Sequence, residues 1–334
     1  MFNIVTIGSA TRDLFIKDEH FQEIQENDLK IPRDMSPTDL CGILPLGLKI
    51  EIQDVYIDSG GGATNAAVTF ARQGFAVGCV SSTGEDCEGR DIQDRITDEG
   101  VRTFFQRSSQ MTGFSIILIA KGGERSILNF RGAAHDIKNE DIPWKELKAE
   151  WFYLSSLAGR QDVLERIFSF AKEHNIAIAF NPGSQELALG LDGLRKFLEQ
   201  MKVLIINDEE AHRFTGSKED QDIFRTLREV NNNLIVVITK GQRGVSVSDG
   251  SSIWHGGIFP EKERVDRTGA GDAFGSGFLT GLIRSGIEEG IRIGSANGTS
   301  VVEYMGAKEG ILSKDEAFDP RWQGLDVEKI PFDN

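Results

Sequence analysis

The 334 residues suffice for one large α/β domain or two modest ones, and 39% hydrophobic content with only 8 prolines fits an ordered globular chain. A formal net charge of −15 argues against nucleic acid or anionic membrane as a partner, since both require a basic footprint. It also means that a polyanionic ligand must be held by local groups or by a bound divalent cation. Cys41, Cys79 and Cys87 form no Cys-x-x-Cys pair, which disfavours a zinc site or a disulfide framework. The first residues lack the basic-then-apolar pattern of a signal peptide, and runs such as Phe114–Ala120 are only strand-length. A soluble, cytoplasmic protein is the expectation.

Phe2–Ile7 reads as a buried first strand ending at Gly8, and Leu14–Ile16 and Lys49–Ile57 as strand-like pieces flanking an excursion over 17–49. Within that excursion Lys17–Lys30 reads as a charged helix. Ala63–Gln73 follows as a helix, Ala76–Ser81 as a strand and Glu88–Glu99 as a helix. Thr112–Ala120 and Arg125–Phe130 have the alternation of antiparallel strands. Trp151–Ser155, Ile176–Asn181, Val203–Ile206 and Leu234–Thr239 are strands separated by helical segments, the pattern of a mainly parallel sheet covered by helices. Gly244–His255 reads as a hairpin turning at Asp249-Gly250, and Ala270–Arg284 and Glu288–Tyr304 as closing helices.

Five constellations carry chemistry. At Gly8, the carboxyl end of a parallel strand, Asp13 either accepts hydrogen bonds from ligand hydroxyls or serves as a turn residue. The glycines Gly60, Gly61 and Gly62 let a ligand approach the backbone, and Asn65 offers a donor and acceptors that match vicinal hydroxyls. Asn207 and Glu210 share a helix face, suited to holding the waters of Mg²⁺ and equally to forming a capping box. Thr239, Gly241 and Gly244 mark a loop after a strand, spaced for a flat or phosphate-bearing ligand. The run Asp266-Arg267-Thr268-Gly269-Ala270-Gly271-Asp272 opens an apolar helix whose free amides can cradle an anion. Beside it, Asp272 is either a general base or an acid that merely favours the helix dipole. No Gly-Lys dipeptide exists, so there is no Walker A loop. Phe274 occupies the third position of a dinucleotide fingerprint.

With these pieces in this order the chain resembles the ribokinase-like (PfkB-type) carbohydrate kinases over roughly residues 2–317. Its N-terminal signature is Gly60–Ala66 with Gly84-Glu85-Asp86 and Gly89-Arg90, and its C-terminal signature Asp266–Asp272 with Ala273-Phe274. The resemblance implies a three-layer α/β fold, a mainly parallel sheet flanked by helices, with a small β-lid. It implies Asp272 as catalytic base and Gly269, Ala270 and Gly271 as the anion hole. Asp13, Gly60, Gly61 and Asn65 are then substrate-binding, and Asn207, Thr239, Gly241, Gly244 and Asn297 nucleotide-binding. Glu210 bears on Mg²⁺ through water, and Asp266 with Gly306-Ala307 marks the neighbourhood of a monovalent cation such as K⁺. Arg131, after the strand Arg125–Phe130, either faces the acceptor and admits an anionic substrate or is an ordinary surface arginine. Arg267 stands where a small residue is usual, and Ala134 where ribokinases proper have Asn, which puts ribose in doubt.

The expected organisation is a kinase domain over 1–13 and 59–320, a lid excursion over 14–58 completed by strands around 112–130, and a tail over 321–334. The lid is also a candidate homodimer contact. The expected activity is transfer of the γ-phosphate of ATP to a hydroxymethyl group of a sugar. A nucleoside kinase of the same fold and a nucleotide-binding regulator without catalysis are the alternatives.

Overall fold

The computed structural model describes residues 1–17, 22–25, 40–43, 47, 49, 51–52, 54–119 and 125–332. The chain opens on β1 (Phe2–Ile7) and passes through Gly8 into β2 (Thr11–Lys17). Two short strands, β3 (Gln22–Gln25) and β4 (Leu40–Ile43), pair antiparallel before β5 (Asp54–Gly60) returns alongside β2. The helix expected over Lys17–Lys30 is therefore absent at Gln22–Gln25, where strand pairing overrides the weak helical preference of long polar residues. The rest of that stretch, like the bulk of the 17–49 excursion, lies outside the described residues.

Alternation of strand and helix then builds the body: α1 (Gly62–Arg72), β6 (Val77–Gly84), α2 (Cys87–Asp98) and β7 (Arg102–Ser108). The pair β8 (Gly113–Ile119) and β9 (Arg125–Phe130) follows. After it come β10 (Ala149–Leu154), α3 (Gln161–His174), β11 (Ala177–Phe180), α4 (Ser184–Leu187), α5 (Gly190–Leu198), β12 (Val203–Asn207), α6 (Asp208–Thr215), α7 (Asp220–Val230) and β13 (Ile235–Thr239). A hairpin, β14 (Val245–Ser248) and β15 (Ser252–Gly256), leads to α8 (Ala270–Ser285), α9 (Ile287–Val301) and β16 (Val327–Pro331). Strand β7 is legible only afterwards: it is an edge strand with arginines at both ends and no clean apolar run. The C-terminal segment expected as a tail contributes β16 to the opposite edge, with Phe332 buried.

Among the described residues the main sheet has ten strands in the order β16-β15-β14-β13-β12-β11-β10-β1-β6-β7, parallel from β7 through β13. Alternate residues of each strand feed two cores. Phe152 and Leu154 of β10 pack with α3, α5 and α7 on one face, and Tyr153 packs with α1, α8 and α9 on the other. Strand β1 lies between β6 and β10, so the chain reverses direction across the sheet there. Gly8 and Ser155 sit at the carboxyl ends beside that reversal, where open α/β sheets bind ligands.

The second sheet runs β5-β2-β8-β9. Its register sets Asp58, Asp13, Ser115 and Asn129 side by side in one row across all four strands. Residues opposite one another share a face, so this row and the neighbouring Phe15 and Ile117 look one way, toward Met305 of the body. The other face carries Val55, Ile57, Leu128 and Phe130, each about half exposed.

Candidate active site

The turn from β1 to β2 and the start of α1 are built against each other. A Cβ at Gly60 would lie 2.0 Å from Asp13 Oδ2, and one at Gly61 would lie 2.4 Å from the Ser9 carbonyl. Gly61 also has φ near 97°, a conformation that favours glycine. What approaches these glycines closely is the chain itself, which brings Asp13 over the helix start. Thr11 Oγ1 donates to Asp13 Oδ1 at 3.2 Å. Burial pushes the Asp13 carboxyl above its usual range, against the pull of Lys308, Ser115 and Thr11, while Asp58 pushes it further up.

Asp272 lies in the first turn of α8, whose preceding residue, Gly269, takes the left-handed conformation and packs against Ala307. Asn65 Nδ2 donates to Asp272 Oδ2 at 2.7 Å, so one carboxylate oxygen is pinned. The other, Oδ1, faces Gly62, where an added Cβ would come within 3.3 Å of it and within 2.7 Å of Ser155 Cβ. Gly62 thus keeps open the space beside the free oxygen. Burial raises the Asp272 carboxyl above its usual range, and the Asn65 amide and the Lys308 charge counter part of that rise. A carboxylate so placed is a better proton acceptor than one in water.

On the far side of the Gly269–Gly271 turn opens a cavity of about 480 Å³. Thr239, Gly241 and Gly244 line it, as do Ala270 and Gly271 of the helix start and Ser295, Gly298 and Thr299 of α9. Among the described residues, Lys240, Arg243, Arg264 and Arg267 are the cationic side chains that border it. Lys240 pairs with Asp220, Arg243 with Asp208 and Arg264 with Glu261. Three of the four positive charges are thus already met by carboxylates, and the Arg267 guanidinium adds to them at the turn before α8. Asp272 stands between this cavity and the Asp13–Asn129 row.

A model for the pfkB family of carbohydrate kinases matches residues 1–314. The chain belongs to this family. It is a phosphotransferase with an alcohol group as acceptor. Ribokinase of Haemophilus influenzae is 28% identical over 277 residues, covering 80% of this chain and 88% of that protein. Cytidine kinase of Thermococcus kodakarensis is 28% identical over 253 residues, covering 74% and 88%. In fold the chain matches ribokinase of Giardia lamblia with a TM-score of 0.78 at 21% identity, covering 96% of this chain and 99% of that one.

Within this pfkB-family chain the predicted residues fall into two groups. Asp13, Gly60, Gly61, Asn65 and Asp272 converge, as do Thr239, Gly241, Gly244, Ala270 and Gly271 around the cavity. Asn207 pairs in register with Thr239, and with Glu210 it forms the capping box: Glu210 Oε2 accepts from the Asn207 amide and Asn207 Oδ1 from the Glu210 amide. Burial raises the Glu210 carboxyl. Its remaining oxygen fits an Mg²⁺ that arrives with nucleotide phosphates and keeps most of its waters. Asn297 corrects the expectation. It is buried, donates to the Ala273 carbonyl at 2.8 Å and accepts from the Leu312 amide at 3.0 Å. The helix is right but Asn297 looks into the α8–α9 packing; Ser295, Gly298 and Thr299 reach the cavity.

Asp266 is buried and its oxygens are occupied. Oδ1 accepts from the Thr268 amide and hydroxyl and from Arg125 Nη1 at 3.0 Å, and Oδ2 accepts from the Gly306 amide at 3.2 Å. A guanidinium from β9 already meets the charge that a monovalent cation would meet, so this carboxylate fits the role of a brace for the turn. Arg131 sits at the end of β9, its Nη1 3.0 Å from His135 Nε2, and its carbonyl packs on Gly113 next to Thr11. Burial and then the Arg131 charge hold His135 below its usual range, leaving it neutral and able to accept that bond. Sequence reading missed Asp58, Ser115 and Asn129 of the lid row, Ser155, and Lys308. The register alone could have found the first three, once β8 was known to pair with β2.

Proposed function

We propose that this kinase transfers the γ-phosphate of ATP to a hydroxymethyl group of a sugar or sugar-like acceptor, with Asp272 as general base. The observation that carries the reading is the asymmetry of Asp272. One oxygen is pinned by Asn65 and the other is open beside Gly62, between a polar lid row and a cation-bordered cavity. Bound MgATP supplies the phosphoryl group. Asp13 and its row orient the acceptor, and Asp272 Oδ1 takes the hydroxyl proton. The Gly271 amide, at the helix start and without a backbone partner among the described residues, stabilises the charge that develops. Glu210 serves the magnesium through water.

Neutral pentoses and hexoses, sugar phosphates and nucleosides should be assayed for ATP-dependent phosphorylation. A neutral sugar is the expected acceptor, whereas preference for a nucleoside would favour the alternative that the cytidine kinase relative suggests. ATP binding without phosphorylation of any acceptor would support the non-catalytic regulator. Arg131 supports a second reading, an anionic acceptor, because it brings a positive charge to the base of the lid. Arg131→Ala should then reduce activity on a phosphorylated sugar far more than on a neutral one, and equal losses would remove that reading. Val55, Ile57, Leu128 and Phe130 on the outer lid face support a homodimer through the lid.

A further inference from the structure

Lys308 is a buried cation that no motif announces. It follows Gly306-Ala307 in the loop after α9 and is only 7% exposed. Its ammonium donates to the Ser59 carbonyl and to Asn65 Oδ1, each at 2.5 Å. Three carboxylates from three elements face it: Asp58 of β5, Asp13 of β2 and Asp272 of α8. The Cys79 thiol of β6 faces it too, kept protonated by burial. Asp58 also pairs with Arg95 at 3.5 Å, and Asp272 also faces the buried Tyr153 hydroxyl.

An ammonium can only donate hydrogen bonds, so the Asn65 oxygen must turn toward Lys308. The Asn65 nitrogen must then turn toward Asp272, which is the bond observed. The chain Lys308–Asn65–Asp272 therefore fixes which carboxylate oxygen is pinned and which stays open beside Gly62.

We propose that Lys308 is a positioning residue for phosphoryl transfer, holding Asp272 in orientation through Asn65 and offsetting the charge of Asp13, Asp58 and Asp272 where the lid meets α8. The proposal rests on Asp272 being the base. Burial lowers the Lys308 ammonium to about 8, against the pull of the three carboxylates. The charge of Lys308 in turn favours the ionised form of Asp272. Removing it makes Asp272 harder to ionise, so the acidic limb of turnover moves to higher pH.

The test compares wild type with Lys308→Met, which keeps the length without donor or charge, and Lys308→Gln, which restores a donor alone. With an acceptor that wild type phosphorylates, Lys308→Met should lower kcat about 10²-fold, as misplacement of a reacting group does, with KM for ATP unchanged. Its acidic limb should move up, and Lys308→Gln should recover part of kcat without restoring the limb. A readout that needs no acceptor is carbon NMR of protein labelled at the aspartate carboxyls, with Asp272 assigned by its absence in Asp272→Asn. In wild type the Asp272 signal should show an inflection near pH 8 as Lys308 loses its proton. In Lys308→Met that inflection should vanish and Asp272 should titrate higher. An Asp272 signal that ignores pH 8 in wild type, or variants that lose stability with an unmoved acidic limb, would overturn the proposal. Failure to phosphorylate any acceptor would instead overturn the kinase reading while the titrations still decide Lys308.

Discussion

At the residue scale the site depends on small residues as much as on charged ones. Gly62 is the sharpest case, because a Cβ there would press on Ser155 Cβ at 2.7 Å and crowd Asp272 Oδ1 at 3.3 Å. Gly62→Ala should cost about 1–3 kcal/mol of stability from overpacking. It should also lower turnover about 10–100-fold by displacing the open carboxylate oxygen, while ATP affinity stays near wild type. Chemical denaturation, steady-state kinetics and nucleotide titration check the three parts, and full turnover in the variant would refute the geometry. Gly62 and Asp272 were legible in the sequence because glycine clusters and a helix-opening acid are local patterns. Lys308 was not. A lysine in a loop reads as a solvated charge, and its burial arises only when β2, β5 and α8 close around it.

At the element scale, short polar links hold the lid to the body. Asp86 caps α2 by accepting from the Gly89 amide at 2.8 Å and accepts from the Thr112 amide at 2.8 Å just before β8. Burial pulls the Asp86 carboxyl upward, but the Thr112 hydroxyl and amide and the Gly89 amide outweigh it and hold it below the usual range. A depressed folded pKa gives stability that is present above the unfolded value, about 3.9, and is lost as pH falls through the folded value. Asp86→Ala should therefore lower stability by about 1–3 kcal/mol near neutral pH, and the deficit should shrink as the solution is acidified below about pH 4. Urea titrations at several pH values test this; a deficit independent of pH would contradict it. The signature run Gly84-Glu85-Asp86 was visible in sequence, but its bridge to Thr112 was not, since it joins residues far apart in the chain. Asn297 shows the same limit: α9 was located correctly, and only packing decided which of its faces meets the cavity.

At the scale of the whole molecule, alternation of apolar runs and amphipathic stretches was enough to read a mainly parallel sheet with helices on both faces. Edge strands were the failure, β7 for its charged ends and β16 because it falls in a segment with no partner visible in sequence. The lid sheet divides its work between faces. One presents Asp58, Asp13, Ser115 and Asn129 to the site, and the other leaves Val55, Ile57, Leu128 and Phe130 half exposed. Burial of such a patch against a second copy favours a dimer. Sedimentation at micromolar concentration should find a dimer for wild type and a monomer for Leu128→Asp with its fold intact. A monomeric wild type would contradict the lid interface.

The central claim is that Asp272 accepts the proton of the acceptor hydroxyl, and Asp272→Asn tests it most directly. The substitution keeps the shape and can still meet Asn65, but removes the base. With an acceptor that wild type phosphorylates, kcat should fall about 10²–10⁴-fold while ATP binding, followed by calorimetry, stays close to wild type. Turnover of Asp272→Asn near the wild-type rate would contradict the account.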